Sequence, residues 1–117
     1  MPGAEQPAGL IGVLLDAGAE FGDRDDAALD LGEFDEPEAE AALLAVAADP
    51  ATDLALAEMC VESLAEIWAR KGELNLAGLR TLKGEVLSAA LQLVEASQPR
   101  WKEHVRKVRA ETGASPG

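Results

Sequence analysis

The sequence predicts an all-α fold, and both its composition and the spacing of its apolar residues support this. Among 117 residues, 23 Ala and 17 Leu supply most of the apolar content, whereas Val, Ile and Thr together number 12 and Tyr is absent. Ala and Leu are among the best helix formers, and strands favour β-branched and aromatic residues. Apolar residues recur at intervals of three and four, the spacing of one helix face. A chain of this length fits one domain with a single core.

We predict six helices within residues 8–111, with residues 1–7 as a disordered lead-in. The first helix runs over residues 8–21 and ends at Gly22, since glycine commonly follows a helix C-terminus. Asp23 is the N-cap of the second, over residues 24–33, and Pro37 opens the third, which runs to Ala48.

The later helices are predicted over residues 53–71, 76–97 and 99–111, with residues 112–117 as a disordered tail. Gly72 ends the fourth helix and Asn75 caps the fifth. Trp68 and Trp101 are expected to anchor the core, and Cys60 to be a small buried apolar residue. Because the loops are short, consecutive helices should be antiparallel neighbours.

One internal repeat is detectable, at a period of 33 residues. A shift by this length lays Ala27-Ala28 onto Cys60-Val61 and Leu31-Gly32 onto Leu64-Ala65. Residues 30–43 (DLGEFDEPEAEAAL) resemble the helix–turn–helix junction of short HEAT-like repeats, in which Leu-Gly, an apolar residue and an Asp/Glu-Pro turn lead into the next helix. Asp49-Pro50 and residues 63–67 continue the resemblance, which covers roughly residues 23–71. It weakens afterwards, because no proline follows Ile67.

The resemblance implies a short α-solenoid of stacked antiparallel helix pairs that is used for protein binding. It supplies no catalytic residues. Fewer than three clear repeats are marginal for a solenoid, whose units bury their apolar faces only against neighbours. We therefore expect the first, fifth and sixth helices to act as caps.

Charge is distributed unevenly along the chain. Residues 1–66 contain 17 acidic residues and one base, Arg24, whereas residues 67–117 contain five acidic and nine basic residues. With a net charge of −12, the protein is expected to be repelled by nucleic-acid phosphates and anionic membranes, so neither is a predicted partner. The lone cysteine excludes an internal disulfide, and the chain starts without a basic signal-peptide segment, so we expect a cytoplasmic protein.

Seven acidic residues form the predicted partner-binding site. Three of them recur every four residues on one face of the fourth helix, and the 33-residue shift lays acidic residues of the second helix beside them. The seven are Asp25, Asp26, Asp30, Glu33, Glu58, Glu62 and Glu66. The alternative is an acidic face that is only solvated. The acids that begin the third helix, Asp35, Glu36, Glu38 and Glu40, are better explained by capping, since the helix dipole favours carboxylates there.

Other chemistry has little support in the sequence. The run from Asp23 to Asp30 lacks the EF-hand pattern, and the single histidine, His104, allows no multi-histidine zinc site and is expected to be exposed. We therefore predict no metal, no cofactor and no catalytic residue. The bases of the last helix (Arg100, Lys102, Arg106, Lys107 and Arg109) are interpreted as offsetting the acidic half, with Glu103 and Lys107 as an ion pair.

The leading functional hypothesis is a non-enzymatic interaction module whose acidic helical face binds a basic protein partner. An immunity protein that neutralises a cationic toxin is one concrete version. The alternative is a structural subunit or homodimer that associates through an apolar helix face, and an enzyme ranks last.

Overall fold

The computed structural model describes residues 7–113, which form seven α-helices and no strand. The all-α prediction is confirmed. The helices are α1 (Pro7–Leu15), α2 (Phe21–Leu31), α3 (Pro37–Ala48), α4 (Leu54–Lys71), α5 (Leu76–Leu79), α6 (Gly84–Ser97) and α7 (Lys102–Thr112), with a 3-10 turn at Pro99–Trp101. The predicted lead-in and tail lie mostly outside the described residues, although Pro7 and Thr112 are helical.

The predicted end of the first helix is wrong. Helix α1 ends at Leu15, and Phe21 is the first residue of α2. The carboxylate of Asp16 accepts a hydrogen bond from the Gly18 N–H at 2.9 Å and thereby turns the chain. Gly22 lies inside α2 and is not a stop signal. Phe21, which was predicted to be the last residue of the first helix, is 48% exposed.

The predicted fifth helix, 76–97, is two helices. Between α5 and α6 the Thr81 hydroxyl donates to the Gly78 carbonyl at 2.6 Å, Lys83 is extended, and Gly84 has φ +60°. No continuous helix can pass through these conformations. The buried residues of α6 are Leu87, Ala90, Leu91 and Val94.

Helix α4 is the centre of the fold and packs against α2, α3 and α6. Its predicted limits are nearly correct: the Asp53 carboxylate accepts from the Ala55 N–H at 2.9 Å, and Gly72 ends it with φ +72°. Its apolar face is buried, including Cys60 and Trp68 as predicted, and comprises Ala57, Cys60, Val61, Leu64, Ile67 and Trp68. Trp101 is also buried, so both tryptophans are core residues as predicted.

The other helices surround this centre. Helix α1 contacts α2 and α3, whereas α6 contacts α7 and the 3-10 turn. None of the helices in residues 7–113 is both long and apolar enough to span a bilayer.

Small residues bring α2 and α4 into close contact. The Ser63 hydroxyl donates to the Ala28 carbonyl at 2.7 Å. A Cβ atom on Gly32 would lie 2.9 Å from Ser63 Oγ and 3.1 Å from an oxygen of Glu66. Asp25 lies near Cys60, Ala28 lies beside Ser63, and the Gly32 carbonyl accepts a hydrogen bond from Arg70, so residue numbers rise in the same direction along both helices. Helices α2 and α4 are therefore parallel neighbours, which sets the geometry of the candidate site.

Candidate functional site

Three carboxylates form a row on the exposed side of α4. Glu58, Glu62 and Glu66 are all exposed, and their spacing of four residues places successive Cβ atoms roughly 5–6 Å apart. None of the four ion pairs in residues 7–113 includes any of them. The row is therefore a concentration of negative charge whose members make no ion pair within residues 7–113.

The second helix divides its acidic residues between two sides. At 100° per residue, Asp26 and Asp30 lie about 100° and 140° around α2 from Asp25. Asp25 is half-buried and lies close enough to Cys60 of α4 to influence its thiol. Asp26 and Asp30 instead line a groove between α1 and α2. The seven predicted residues therefore do not form one patch.

Asp25, Glu33, Glu58, Glu62 and Glu66 are together called the acidic face below. Glu33 is exposed in the turn after α2, where its N–H donates to the Asp30 carbonyl at 3.1 Å. The preceding residue, Gly32, is the one beside Glu66. The structure thus places Glu33 and Glu66 at the same end of the two helices, as the 33-residue shift predicts.

Two large apolar side chains lie exposed in the same row of α2 as Asp25. Phe21 is 48% and Leu29 is 51% exposed, and each is four residues from Asp25. Sequence reasoning identified neither as exposed, because it set Phe21 at the end of the first helix and passed over Leu29. The spacing of Leu29 from Asp25 was the available signal. The surface of α2 beside α4 therefore carries both an acidic residue and large exposed apolar side chains.

Burial raises the pKa of the Cys60 thiol to about 12, while the Arg24 guanidinium acts in the opposite direction and the Asp25 carboxylate adds to the rise. The thiol is therefore protonated at neutral pH and is not a reactive nucleophile. Arg24 donates from Nε to the Leu14 carbonyl at 3.0 Å. The one base of the acidic half therefore helps to end α1.

Two of the acids assigned to capping of α3 have distant partners instead. Glu40 accepts hydrogen bonds on one oxygen from the Trp68 indole at 2.9 Å and the Asn75 amide at 2.7 Å. Asp35 pairs with Arg70 at 2.7 Å, and Arg70 also donates to the Gly32 carbonyl. Glu36 is the N-cap residue, but its side chain makes no capping hydrogen bond. The capping interpretation is thus incomplete: these contacts fix the α2–α3 turn and the α3–α4 pair.

The basic last helix pairs mostly with acids of its own half. Arg109 contacts Glu95 at 3.2 Å, and Glu111 contacts Arg80 at 2.9 Å. The hydrogen bond from Arg80 lowers the pKa of the Glu111 carboxyl. Glu103 pairs with Arg106 at 3.0 Å, not with Lys107 as predicted. These contacts do not join α7 to the acidic face.

His104 is exposed, as predicted, and in the described part of the chain no three His, Cys, Asp or Glu side chains are grouped so as to hold a metal ion. The candidate site is thus a surface of carboxylates and apolar side chains. No family model, curated protein or solved structure matches this chain.

Proposed function

We propose that this protein is a non-enzymatic interaction module whose acidic face binds a basic protein partner. The observation that carries the proposal is the row Glu58, Glu62 and Glu66, exposed and without ion pairs, beside a helix that exposes Phe21 and Leu29. Like charges four residues apart destabilise a helix, and large apolar side chains that stay exposed lack the stabilisation that burial would provide. A partner that neutralises the carboxylates and covers the apolar side chains would remove both costs.

The contact pattern of the helices supports the HEAT-like part of the proposal. Consecutive helices α1 and α2 pack together, as do α3 and α4. Across these pairs α1 contacts α3, and α2 contacts α4. Two stacked units of a HEAT-like solenoid would make these four contacts, with α6 continuing the layer of α2 and α4. In this arrangement the acidic face belongs to the second helices of successive units.

An immunity protein that neutralises a cationic toxin in the cytoplasm is the concrete version we favour. A small protein with a net charge of −12 would associate rapidly with a cationic partner, because opposite charge steers the encounter. Cys60 is the one cysteine of the sequence and is buried as a free thiol, and a chain without an internal disulfide suits a reducing compartment.

The first experiment identifies the partner and then measures the binding. The tagged protein is used to isolate partners from its source cells, and the purified partner is titrated calorimetrically at 50, 150 and 500 mM NaCl. We expect the affinity to fall steeply with salt, since exposed charges are screened over about 8 Å at physiological ionic strength. An affinity that is indifferent to salt contradicts the electrostatic part of the proposal.

Two double variants test the face itself. Glu58→Lys/Glu62→Lys reverses two charges on the acidic face, and Glu73→Lys/Glu85→Lys reverses two exposed charges elsewhere. Both double variants change the net charge of the protein equally. A weaker long-range attraction between the whole protein and a basic partner therefore affects both variants alike. We expect the first to weaken binding at least tenfold more than the second. Equal losses would place the binding surface elsewhere.

The second candidate function is homodimerisation through an apolar helix face. It is favoured by exposed apolar residues near the α1–α2 junction, namely Val13, Leu15 and Phe21. Sedimentation velocity over a hundredfold range of concentration distinguishes the candidates. A dimer that strengthens at high salt favours this second function, because salt screens the repulsion between two acidic copies.

A further inference from the structure

The groove between α1 and α2 has two chemically different walls. Its volume is about 600 Å³. The α1 wall consists of small and apolar residues, whereas the α2 wall carries three carboxylates at successive spacings of three and four residues, about one helical turn each. The residues that form the two walls are Gly9, Gly12 and Val13 on the first and Asp23, Asp26 and Asp30 on the second.

The glycines of the apolar wall are not required by the packing of this chain. A Cβ atom on Gly9 or Gly12 would meet no other atom within 4 Å. Both lie inside α1 with negative φ, where glycine weakens a helix relative to alanine. Val13, on the same wall, is 37% exposed. The wall is thus an unpartnered helix surface that lets another chain approach closely.

The described residues supply no cation to the acidic wall. No Lys or Arg lines the groove, and Arg24 of α2 is bonded to the Leu14 carbonyl. Residues 1–6 and 114–117 contain neither Lys nor Arg, so these segments bring no basic side chain to it. A second copy of the chain would bring a net charge of −12. Charge complementarity therefore favours a basic segment of a different protein.

We propose that the α1–α2 groove binds an arginine-bearing helical segment of the basic partner. Two arginines of this segment lay the aliphatic parts of their side chains on Gly12 and Val13, and their guanidinium groups pair one with Asp26 and the other with Asp30. Arginine suits such a site, because its stem covers apolar surface while its planar head bonds carboxylates in a bidentate manner. Asp26 and Asp30 are four residues apart, which matches two arginines at the same spacing on the incoming helix. This inference rests on the proposed function and names the segment that the partner contributes.

The probe is a synthetic amphipathic helical peptide with two arginines four residues apart beside a row of leucines. Its control replaces both arginines by citrulline, which keeps the shape and removes the charge. Binding is followed by 15N-edited NMR at 50 mM NaCl, where the amide signals of Gly9 and Gly12 report on the groove. The amide signals of Glu58 and Glu62 report on the acidic face.

Each outcome decides a different question. Shifts at Gly9 and Gly12 with the arginine peptide, and none with the citrulline peptide, support the groove. Shifts confined to the acidic face overturn the groove and leave the proposed function standing. Absence of salt-sensitive binding of the arginine peptide at either place overturns the groove and also contradicts the proposed function.

Two kinds of variant separate binding from folding. Asp26→Asn/Asp30→Asn should weaken the arginine peptide by about tenfold for each carboxylate, the effect of losing one charge-assisted hydrogen bond. Gly12→Leu fills the groove where the structure leaves open space, so we expect an equal or higher Tm together with weaker binding. The matched control is Gly22→Leu, at an exposed glycine outside the groove that also has no atom within 4 Å of its Cβ position. Unchanged binding in Gly12→Leu overturns the inference.

Discussion

At the scale of single residues, the contact between α2 and α4 depends on Gly32 and Ser63. Gly32 has no side chain, and the Ser63 hydroxyl fills the space where a Cβ would lie and donates to the Ala28 carbonyl. This close approach places the acidic residues of the two helices next to each other. A larger residue at either position would separate the helices.

Gly32→Ala tests this contact. The added methyl would lie 2.9 Å from Ser63 Oγ and 3.0 Å from its Cβ, which forces the serine or the helix to move. We expect the free energy of unfolding to fall by about 1–3 kcal/mol, the usual cost of overpacking a tight contact. Urea denaturation followed by tryptophan fluorescence measures it. Gly22→Ala, at an open position within α2, is the control and should leave stability equal or higher, because alanine is the better helix former; an equal loss of stability in the two variants would contradict the argument.

Because of Cys60, the free energy of unfolding is expected to fall as the pH rises in the alkaline range. Burial raises the pKa of its thiol from 9.0 to about 12, so between these values the folded state keeps a proton that the unfolded state has lost. Stability from this group is fully present below pH 9 and falls as pH rises, by up to about 1.4 kcal/mol per pH unit. Urea denaturation from pH 7.5 to 10.5 should show wild type losing stability relative to Cys60→Ala above pH 9. A constant difference between the two proteins would show that the thiol does not titrate differently on folding.

Sequence patterns predicted most of the buried residues but few of the long-range polar contacts. The apolar stripe of α4 was predictable because helical periodicity is a local property. The hydrogen bond from Trp68 to Glu40 joins residues 28 positions apart, and nothing in the local sequence specifies it. The same holds for Arg70 and Asp35, which are 35 positions apart. Such contacts depend on how helices are placed in space, which a periodic pattern does not determine.

At the scale of helices, the errors concern boundaries, and each has a local physical cause. Apolar spacing continues from Leu14 to Phe21, yet the Asp16 side chain offers the Gly18 N–H a partner outside the helix. Spacing also continues through residues 80–83, where the chain is not helical. In both cases turn chemistry competes with helical periodicity and prevails. The prediction placed the acidic residues of α2 on one patch because it compared positions along the sequence at a shift of 33 residues. It did not consider the angles at which these side chains leave the helix axis.

Gly84→Ala tests the break between α5 and α6. Gly84 has φ +60°, a left-handed conformation that costs a residue with a Cβ roughly 1–2 kcal/mol. Since nothing lies within 4 Å of its Cβ position, the loss reports on backbone strain and not on a clash. Chemical denaturation should show this loss for alanine and a smaller one for Gly84→Asn, because asparagine tolerates the left-handed region. If alanine is neutral, the two helices join or the turn adopts another conformation.

At the scale of the whole molecule, the fold is thin and its charge is uneven. The principal extents are 44 × 29 × 19 Å, and 19 Å corresponds to about two layers of helices, each roughly 10 Å across. In such a thin body nearly every helix keeps an exposed side, so α4 can be central to the core and still present its carboxylates. Seventeen of the 22 acidic residues lie in residues 1–66, which makes one half of the molecule repel itself.

This self-repulsion leads to the last prediction, which separates a functional acidic face from a solvated one. Glu62→Lys replaces two repulsive pairs on α4, with Glu58 and with Glu66, by two attractive pairs of helical spacing. We expect the free energy of unfolding to rise by about 1 kcal/mol at 20 mM NaCl and by less at 500 mM, where salt screens both kinds of pair. Urea denaturation at the two salt concentrations measures the change.

The control is Glu73→Lys, which makes the same change of net charge in the loop after α4. This control reports how much of the increase in the free energy of unfolding comes from the smaller total charge. Any further increase in Glu62→Lys comes from the removal of repulsion within the row Glu58, Glu62 and Glu66. If the acidic face binds the partner, Glu62→Lys stabilises the fold and weakens the complex, because the charges that strain the free protein are those that the partner neutralises. A stabilised variant with unchanged affinity for the partner would identify the row as solvated surface. Lower stability would show that its carboxylates do not repel one another as their spacing implies.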